Sequence, residues 1–370
     1  MQQKINFLLL FISISIGYSQ SKHLNLIVGT YTKSCESGGI YTYDFDLNTG
    51  TTFLKSNTEK INNPGFLTLS SDRNFIYSVN QFQSESCISA FKFNSKSGKL
   101  DFMNTLNSRG INPCYITNDQ KNVIVANYTS GSLALFSKNE DGSLGEVRQV
   151  FQQFGKSINP KRQESSHVHM VQFTPDKKFV FATDLGKDKI YIYNYNATSQ
   201  LNMLTIKDSI SVKAGSGPRH FTFNKSGSFF YLLQELDGTL TVYKNNNGCL
   251  IKLQETSVIA PGFLGESSAA DLHISPDGKY LYASNRGTAN TISCFEIQKE
   301  GSLIFKELTS TQGKGPRNFT IDPTGNYLLV GHQYTNNIVI FKINKETGSL
   351  TDTGKRIEIC SPVCLVFSEE

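Results

Sequence analysis

Two histidines one residue apart, His167 and His169, an Arg219-His220 pair, Glu235, Arg286 and Arg317 are the side chains of this sequence best suited to chemistry. Imidazole and carboxylate groups can take a proton from water, and arginine can hold an anion in bidentate fashion or stabilise an oxygen that becomes negative. Asp184 and His332 extend the set. His167, His169 and Asp184 could also ligate a metal, but arginines in the same group argue against a cation, so no metal is expected. A nucleophile of the Gly-x-Ser-x-Gly type is absent from the sequence, and no cysteine sits in a recognisable activating context.

Side chains this far apart must be gathered by a repeating scaffold. Pro218-Arg219-His220-Phe221-Thr222-Phe223, Asp271-Leu272-His273-Ile274-Ser275-Pro276-Asp277-Gly278 and Pro316-Arg317-Asn318-Phe319-Thr320-Ile321 are copies of one pattern, and related copies start near 64, 113, 168 and 362. The intervals, about 46 to 55 residues, are those of propellers and other arrays. Within a unit, two apolar runs flank a Pro, Asp or Gly turn, and further turns lead to a third and a weaker fourth strand. Four strands per repeat make a propeller blade.

The chain ends predict closure. Residues 24–31, 39–47 and 51–56 read as the second, third and fourth strands of a blade without an innermost strand; 362–367 reads as an innermost strand without its blade. The expected fold is therefore all-β, a seven-bladed propeller whose first blade is completed by the C-terminal strand, which removes the exposed edges of an open array. Repeats of this period form one ring, so 21–370 is read as one propeller domain and, edges being buried, as a monomer.

Composition narrows the partners. Hydrophobic residues make up 38%, aromatic residues are 26 Phe and 16 Tyr with no Trp, and the formal charge is +5. This permits an anionic small molecule, while the lack of a basic run with interleaved aromatics excludes a nucleic-acid reading. Lys4, the apolar run 7–16 and the small residues Gly17-Tyr18-Ser19 predict a signal peptide over 1–20, export to the periplasm or beyond, and no stable membrane anchor. The seven scattered cysteines do not read as a disulfide framework or a zinc site; Cys294 is expected to be buried, and an odd count leaves at least one thiol free or intermolecular under oxidation.

Strand parity locates the chemistry. If the innermost strand A runs down the channel, the A–B turns lie at the bottom, and the B–C and D–A connections share the top rim. His167, His169, Arg219, His220 and Arg317 fall at D–A loops or the start of strand A, and Asp184, Glu235, Arg286 and His332 at the ends of strand B. All nine are thereby directed to one face of the channel. Each has a structural alternative: a histidine capping backbone, a carboxylate binding a neighbouring loop, an arginine pairing across blades.

His167-Val168-His169, Gly217-Pro218-Arg219-His220-Phe221 with Gln234-Glu235-Leu236, Ser284-Asn285-Arg286-Gly287 and Gly315-Pro316-Arg317-Asn318-Phe319 closely resemble the seven-bladed lactonase family, which includes bacterial 6-phosphogluconolactonases and carboxymuconate-lactonising enzymes. The resemblance covers about 24–367. It implies a cofactor-free lactone hydrolase, with His169, Arg219, Glu235 and Arg286 as catalytic residues and His167, Asp184, His220, Arg317 and His332 as substrate-binding support. Glu235 or His169 would be the general base, and the arginines would bind the anion and oxyanion. The leader departs from the intracellular sugar-phosphate enzymes, so an unphosphorylated sugar or carboxylated lactone is the expected substrate. The short repeat at Pro113, with Tyr115, is expected to reshape one side of the pocket. The alternative is a non-catalytic exported propeller that binds a glycan or a protein.

Overall fold

The computed structural model describes residues 23–82, 85–199 and 201–369; the expected signal segment lies outside them. Seven four-stranded antiparallel sheets are arranged as the repeats predict. The innermost strands A of blades 2 to 7 are Asn62–Leu69, Pro113–Asn118, Val168–Phe173, Pro218–Phe223, Ala269–Ile274 and Pro316–Ile321. Strand A of blade 1 is Pro362–Glu369, which pairs with strand B of that blade, His23–Thr30, through Leu26↔Phe367 and Val28↔Leu365. The C-terminal closure is as expected.

Local chemistry explains the repeated turn. In Ser275-Pro276-Asp277-Gly278, Asp277 Oδ1 accepts from Ser275 Oγ (2.6 Å) and Lys279 N (3.1 Å), Ser275 Oγ accepts from Tyr280 N (3.0 Å), and Gly278 takes φ +76. An Asx-type turn of this kind returns the chain into strand B without help from the rest of the fold.

Seven buried apolar clusters each span one seam between adjacent blades. Tyr327, Leu329, Ile338 and Ile340 of blade 7 meet Leu26, Val28, Phe45 and Leu365 of blade 1; Ile124, Leu133 and Leu135 of blade 3 meet Val171, Val180 and Tyr191 of blade 4. A fully buried side chain of this size contributes roughly 2 kcal/mol. The ring is thus held from the flanks of its blades, which leaves the strand-A faces free to carry polar side chains at the channel.

One cysteine expectation is corrected. Cys35 and Cys360 form a disulfide within blade 1, between the B–C connection and the residue stretch leading into strand A. They are 325 residues apart in sequence, and only ring closure brings them together, so spacing could not reveal the pair. Cys294 is buried, as expected.

Candidate active site

Two structural rules, repeated from blade to blade, aim side chains at the channel. The first is a bulge at the top of strand A. Between Pro218↔Gln234 and His220↔Leu233 strand A advances two residues while strand B retreats one, leaving Arg219 unpaired. The same shift frees His169, Arg317, Cys114 and Val363 in blades 4, 7, 3 and 1. Bulges re-aim side chains beside functional sites. The second rule concerns the residue just after strand B: Tyr31, Tyr128, Glu235, Arg286 and Gln333 occupy it in blades 1, 3, 5, 6 and 7, and all line one cavity.

That cavity has a volume of about 750 Å³. Lys33, Arg162, Arg286 and Arg317 bring positive charge to its wall, Glu235 is its carboxylate, His169 its imidazole, and Asn63, Gln81, Asn112 and Gln333 are among its uncharged amides. Tyr115, expected to shape the pocket, instead stacks on Phe66 at a centroid distance of 4.0 Å beneath the wall; its neighbour Cys114 lines the cavity.

Glu235 organises the arginines. Its Oε1 accepts from Arg162 Nη2 at 2.7 Å, and its Oε2 lies 2.9 Å from Arg219 Nε and 3.1 Å from Arg286 Nη2. Burial alone would raise its pKa, but Arg286, Arg219 and Arg162 together outweigh that and hold the carboxyl well below the usual range. A carboxylate so strongly stabilised as an anion is a poor proton acceptor. Arg286 is fixed further by Ser268, donating from Nε to its carbonyl (3.1 Å) and from Nη2 to its hydroxyl (2.9 Å).

Arg317 differs. Its guanidinium lies 5.5 Å from the centre of the Tyr31 ring, and among the described residues no carboxylate pairs with it. Burial opposes its charge, but Tyr31 and Glu235 nearby raise its pKa. The Gly315-Pro316 entry delivers it: Gly315 adopts φ +72, donates its N–H to Asn290 Oδ1 (2.8 Å), and a Cβ there would strike the Tyr334 ring.

His169 is buried, with Nδ1 lacking any hydrogen-bond partner among the described residues. Burial, reinforced by Arg219, His220 and Arg317, pushes its pKa well below the ordinary histidine value, so the ring is neutral. Cys114, whose thiol burial pushes up to about 12, is no nucleophile.

Of the remaining predicted residues, Arg219 and His220 sit beneath the cavity floor. They line a small void there together with His169 and Arg317. His220 Nδ1 faces Asp271 Oδ1 at 2.8 Å, and Asp271 Oδ2 receives His273 Nε2 at 3.0 Å.

Three further predicted residues, His167, Asp184 and His332, do not line the cavity. His167 stacks face to face on Tyr128 and uses both ring nitrogens, on Tyr128 O (3.0 Å) and Glu164 Oε1 (3.1 Å). Asp184 and His332 are the last residues of their B strands, one short of the cavity position, and a one-residue offset in a strand turns a side chain to the other face. Asp184 accepts from the His167 N–H (2.8 Å) and from Ser166, tying down the loop before strand A, as Asn285 does with Ser268 N (2.9 Å) in blade 6. His332 fills the same place in blade 7 and is wholly buried.

Arg162 escaped sequence reading. It lies in the connection 153–167 beside Lys161, where an arginine looks like ordinary surface charge; the unusual length of that D–A connection was the available signal.

The seven-bladed scaffold and its arginine-rich cavity accord with a lactonase, a carboxylic-ester hydrolase. The chain belongs to the seven-bladed β-propeller lactonase family, whose pattern it matches over residues 25–367. It is 39% identical over 332 residues to a 6-phosphogluconolactonase of Formosa agariphila, covering 88% of this chain and 94% of that protein. It is 34% identical to the 6-phosphogluconolactonase of Bacillus subtilis, covering 92% and 97%. Among solved structures it resembles a periplasmic gluconolactonase of Pseudomonas aeruginosa, at a TM-score of 0.89 and 32% identity over 93% of this chain and 99% of that one.

Proposed function

We propose that the protein is exported and opens an anionic, sugar-derived lactone by adding water activated by His169, with Arg286, Arg317 and Arg162 holding the anionic group and the developing oxyanion. The observation that carries this reading is the pairing of a neutral, partnerless imidazole with a cavity whose arginines outnumber its single carboxylate.

Water adds to the lactone carbonyl and gives its proton to His169. The carbonyl oxygen becomes negative among guanidinium groups whose donors are already in place, which is where such groups act most strongly. Collapse breaks the ring C–O bond, and the imidazolium returns the proton to the leaving alkoxide, yielding the hydroxy acid. Before substrate binds, burial, reinforced by the neighbouring arginines, keeps His169 unprotonated; an anionic substrate offsets the arginines' part of that effect and raises the basicity of the ring. Glu235 fixes the arginines rather than moving the proton.

Export rests on the leader-like segment 1–20, and the Cys35–Cys360 disulfide supports it, since such bonds persist in oxidising compartments. An exported enzyme meets carboxylated sugar lactones more readily than sugar phosphates, and the carboxylate supplies the anionic group. The relatives' names support lactones of the gluconate type.

The test is hydrolysis of 6-phosphogluconolactone, gluconolactone and a carboxylated sugar lactone by the mature protein, against a protein-free blank and with a chelator control. Turnover that survives chelation and falls about 10²–10⁴-fold in His169→Asn supports the reading. Anion binding with no turnover above the blank would replace it by a binding propeller. Fractionation and the N-terminal mass of the secreted chain test export.

A further inference from the structure

Beneath the floor of the cavity lies a second, much smaller space of about 10 Å³, which is room for one water molecule. His169 and Arg317 line both spaces, so the two adjoin. The void is formed by the strand-A bulges, which turn His169, Arg219, Arg317 and Val363 toward the channel axis at one level.

Its polar groups are unfinished. His169 Nδ1 and Arg219 Nε are sealed off from any water-sized space, the latter against Glu235, which leaves His169 Nε2 and Arg219 Nη2, neither of them in a hydrogen bond among the described residues, to serve the void. His220 faces the ionised Asp271 through Nδ1, which must therefore carry the proton and leaves Nε2 as an acceptor. Phe66 and Val363 supply an apolar wall. Buried polar atoms in natural proteins are satisfied by protein or by ordered water, and a site with two to four polar partners and room for one water is where such water is held.

We propose that this void holds the hydrolytic water, presented to the lactone carbonyl from below by His169 and the neighbouring arginines, with His220 as a positioning residue. The inference rests on the hydrolytic reading above. The attacking water would then be bound before substrate, and a lactone lying in the cavity would be met from the floor while its hydroxyl groups face the amides of the wall. The oxygen forms the new C–O bond, one proton passes to His169, and the ring C–O bond breaks, with no co-reactant beyond water.

Two measurements test it. A high-resolution crystal structure of the mature chain should show one ordered water in the void within hydrogen-bond reach of His169 and of an arginine; a dry void, or one closed by a side chain, overturns the proposal. Val363→Ile adds one methyl group to the wall and should expel the water: kcat is expected to fall about 100-fold, the scale of a misplaced reactant, with KM within about twofold of wild type. A variant whose crystal structure shows the void filled and whose kcat is that of wild type also overturns it. If Val363→Ile does not fold, the crystallographic result stands alone and decides. Failure of the wild-type chain to hydrolyse any lactone would sink the hydrolytic reading instead, so the two failures are separable.

Discussion

Arg219 Nε and Glu235 Oε2 stand 2.9 Å apart with side chains 2% and 5% exposed, and their contact is Coulombic rather than an aligned hydrogen bond. The two belong to the same blade, one in the strand-A bulge and the other just past strand B, so a single sheet brings a buried cation and a buried anion to the channel. Arg286 and Arg162 join the same carboxylate from blade 6 and from the loop before blade 4.

Removing that carboxylate leaves buried positive charge without compensation. Glu235→Gln should destabilise the fold by about 3–5 kcal/mol and lower kcat/KM, because the arginines lose their common anchor. The effect has a pH signature. A carboxyl with a depressed folded-state pKa contributes stability that is present above its unfolded value of 4.5 and is lost as pH falls below it. The stabilities of wild type and variant should therefore begin to approach each other below about pH 4.5 and go on doing so as pH falls further; a difference that stays constant down to pH 3 would show that Glu235 acts through packing.

Arg317 predicts the opposite balance. It has a ring contact with Tyr31 but no carboxylate partner among the described residues, so Arg317→Ala strands no buried anion. Stability should be nearly unchanged, while KM for an anionic lactone rises about 10–100-fold, the value of one charge-assisted hydrogen bond. If kcat falls and KM does not, Arg317 stabilises the transition state alone and the substrate's anion is held elsewhere.

Much of this was legible in the sequence, and the limits are physical. The period of the repeats and the unmatched strands at the two ends determine a closed ring, because backbone edges must pair. The top face was found by strand parity, and His169, Glu235, Arg286 and Arg317 do line the cavity. Parity does not resolve a single residue, however, and that was enough to displace Asp184 and His332. The amides and tyrosines of the wall, such as Gln333 and Tyr128, carry no motif; only their recurrence one residue past strand B could have exposed them. Arg162 sits in a loop whose course depends on tertiary bonds, among them Gln163 Nε2 to Leu185 O at 2.8 Å.

The displaced His332 yields a test of acid sensitivity. Its ring is wholly buried, and Asn337 and Thr311 approach it without an aligned hydrogen bond. Burial lowers its pKa to about 4, with Arg356 adding a smaller push. A histidine lowered from 6.5 in this way is a group that the unfolded chain protonates first, so stability is full above about pH 6.5 and is lost as pH falls toward 4, on the order of 3 kcal/mol. His220, also lowered to about 4, acts in the same direction. His332→Gln copies the residue at the matching position of blade 5, Gln234, and should keep activity while flattening the fall in stability between pH 6.5 and 4. An unchanged slope would assign the acid sensitivity to the channel histidines alone.

The disulfide makes the last prediction. Cys360 lies two residues before the strand that closes the ring, and Cys35 lies in the B–C connection of the same blade, so the bond secures the seam where the first and last strands meet. Reduction, or Cys35→Ser, should lower stability by about 2–5 kcal/mol, the range for removing a native cross-link. It should also loosen the cavity rim, because Tyr31, Lys33 and Ser34 on one segment and Ser361 on the other line the cavity. A rise in KM that accompanies reduction, and is absent when Cys35→Ser protein is treated with the same reductant, would tie the two effects to this bond. Thiol titration in denaturant should count two more thiols after reduction than before; equal counts, or identical unfolding of oxidised and reduced protein, would remove the disulfide from the account of how the ring is closed.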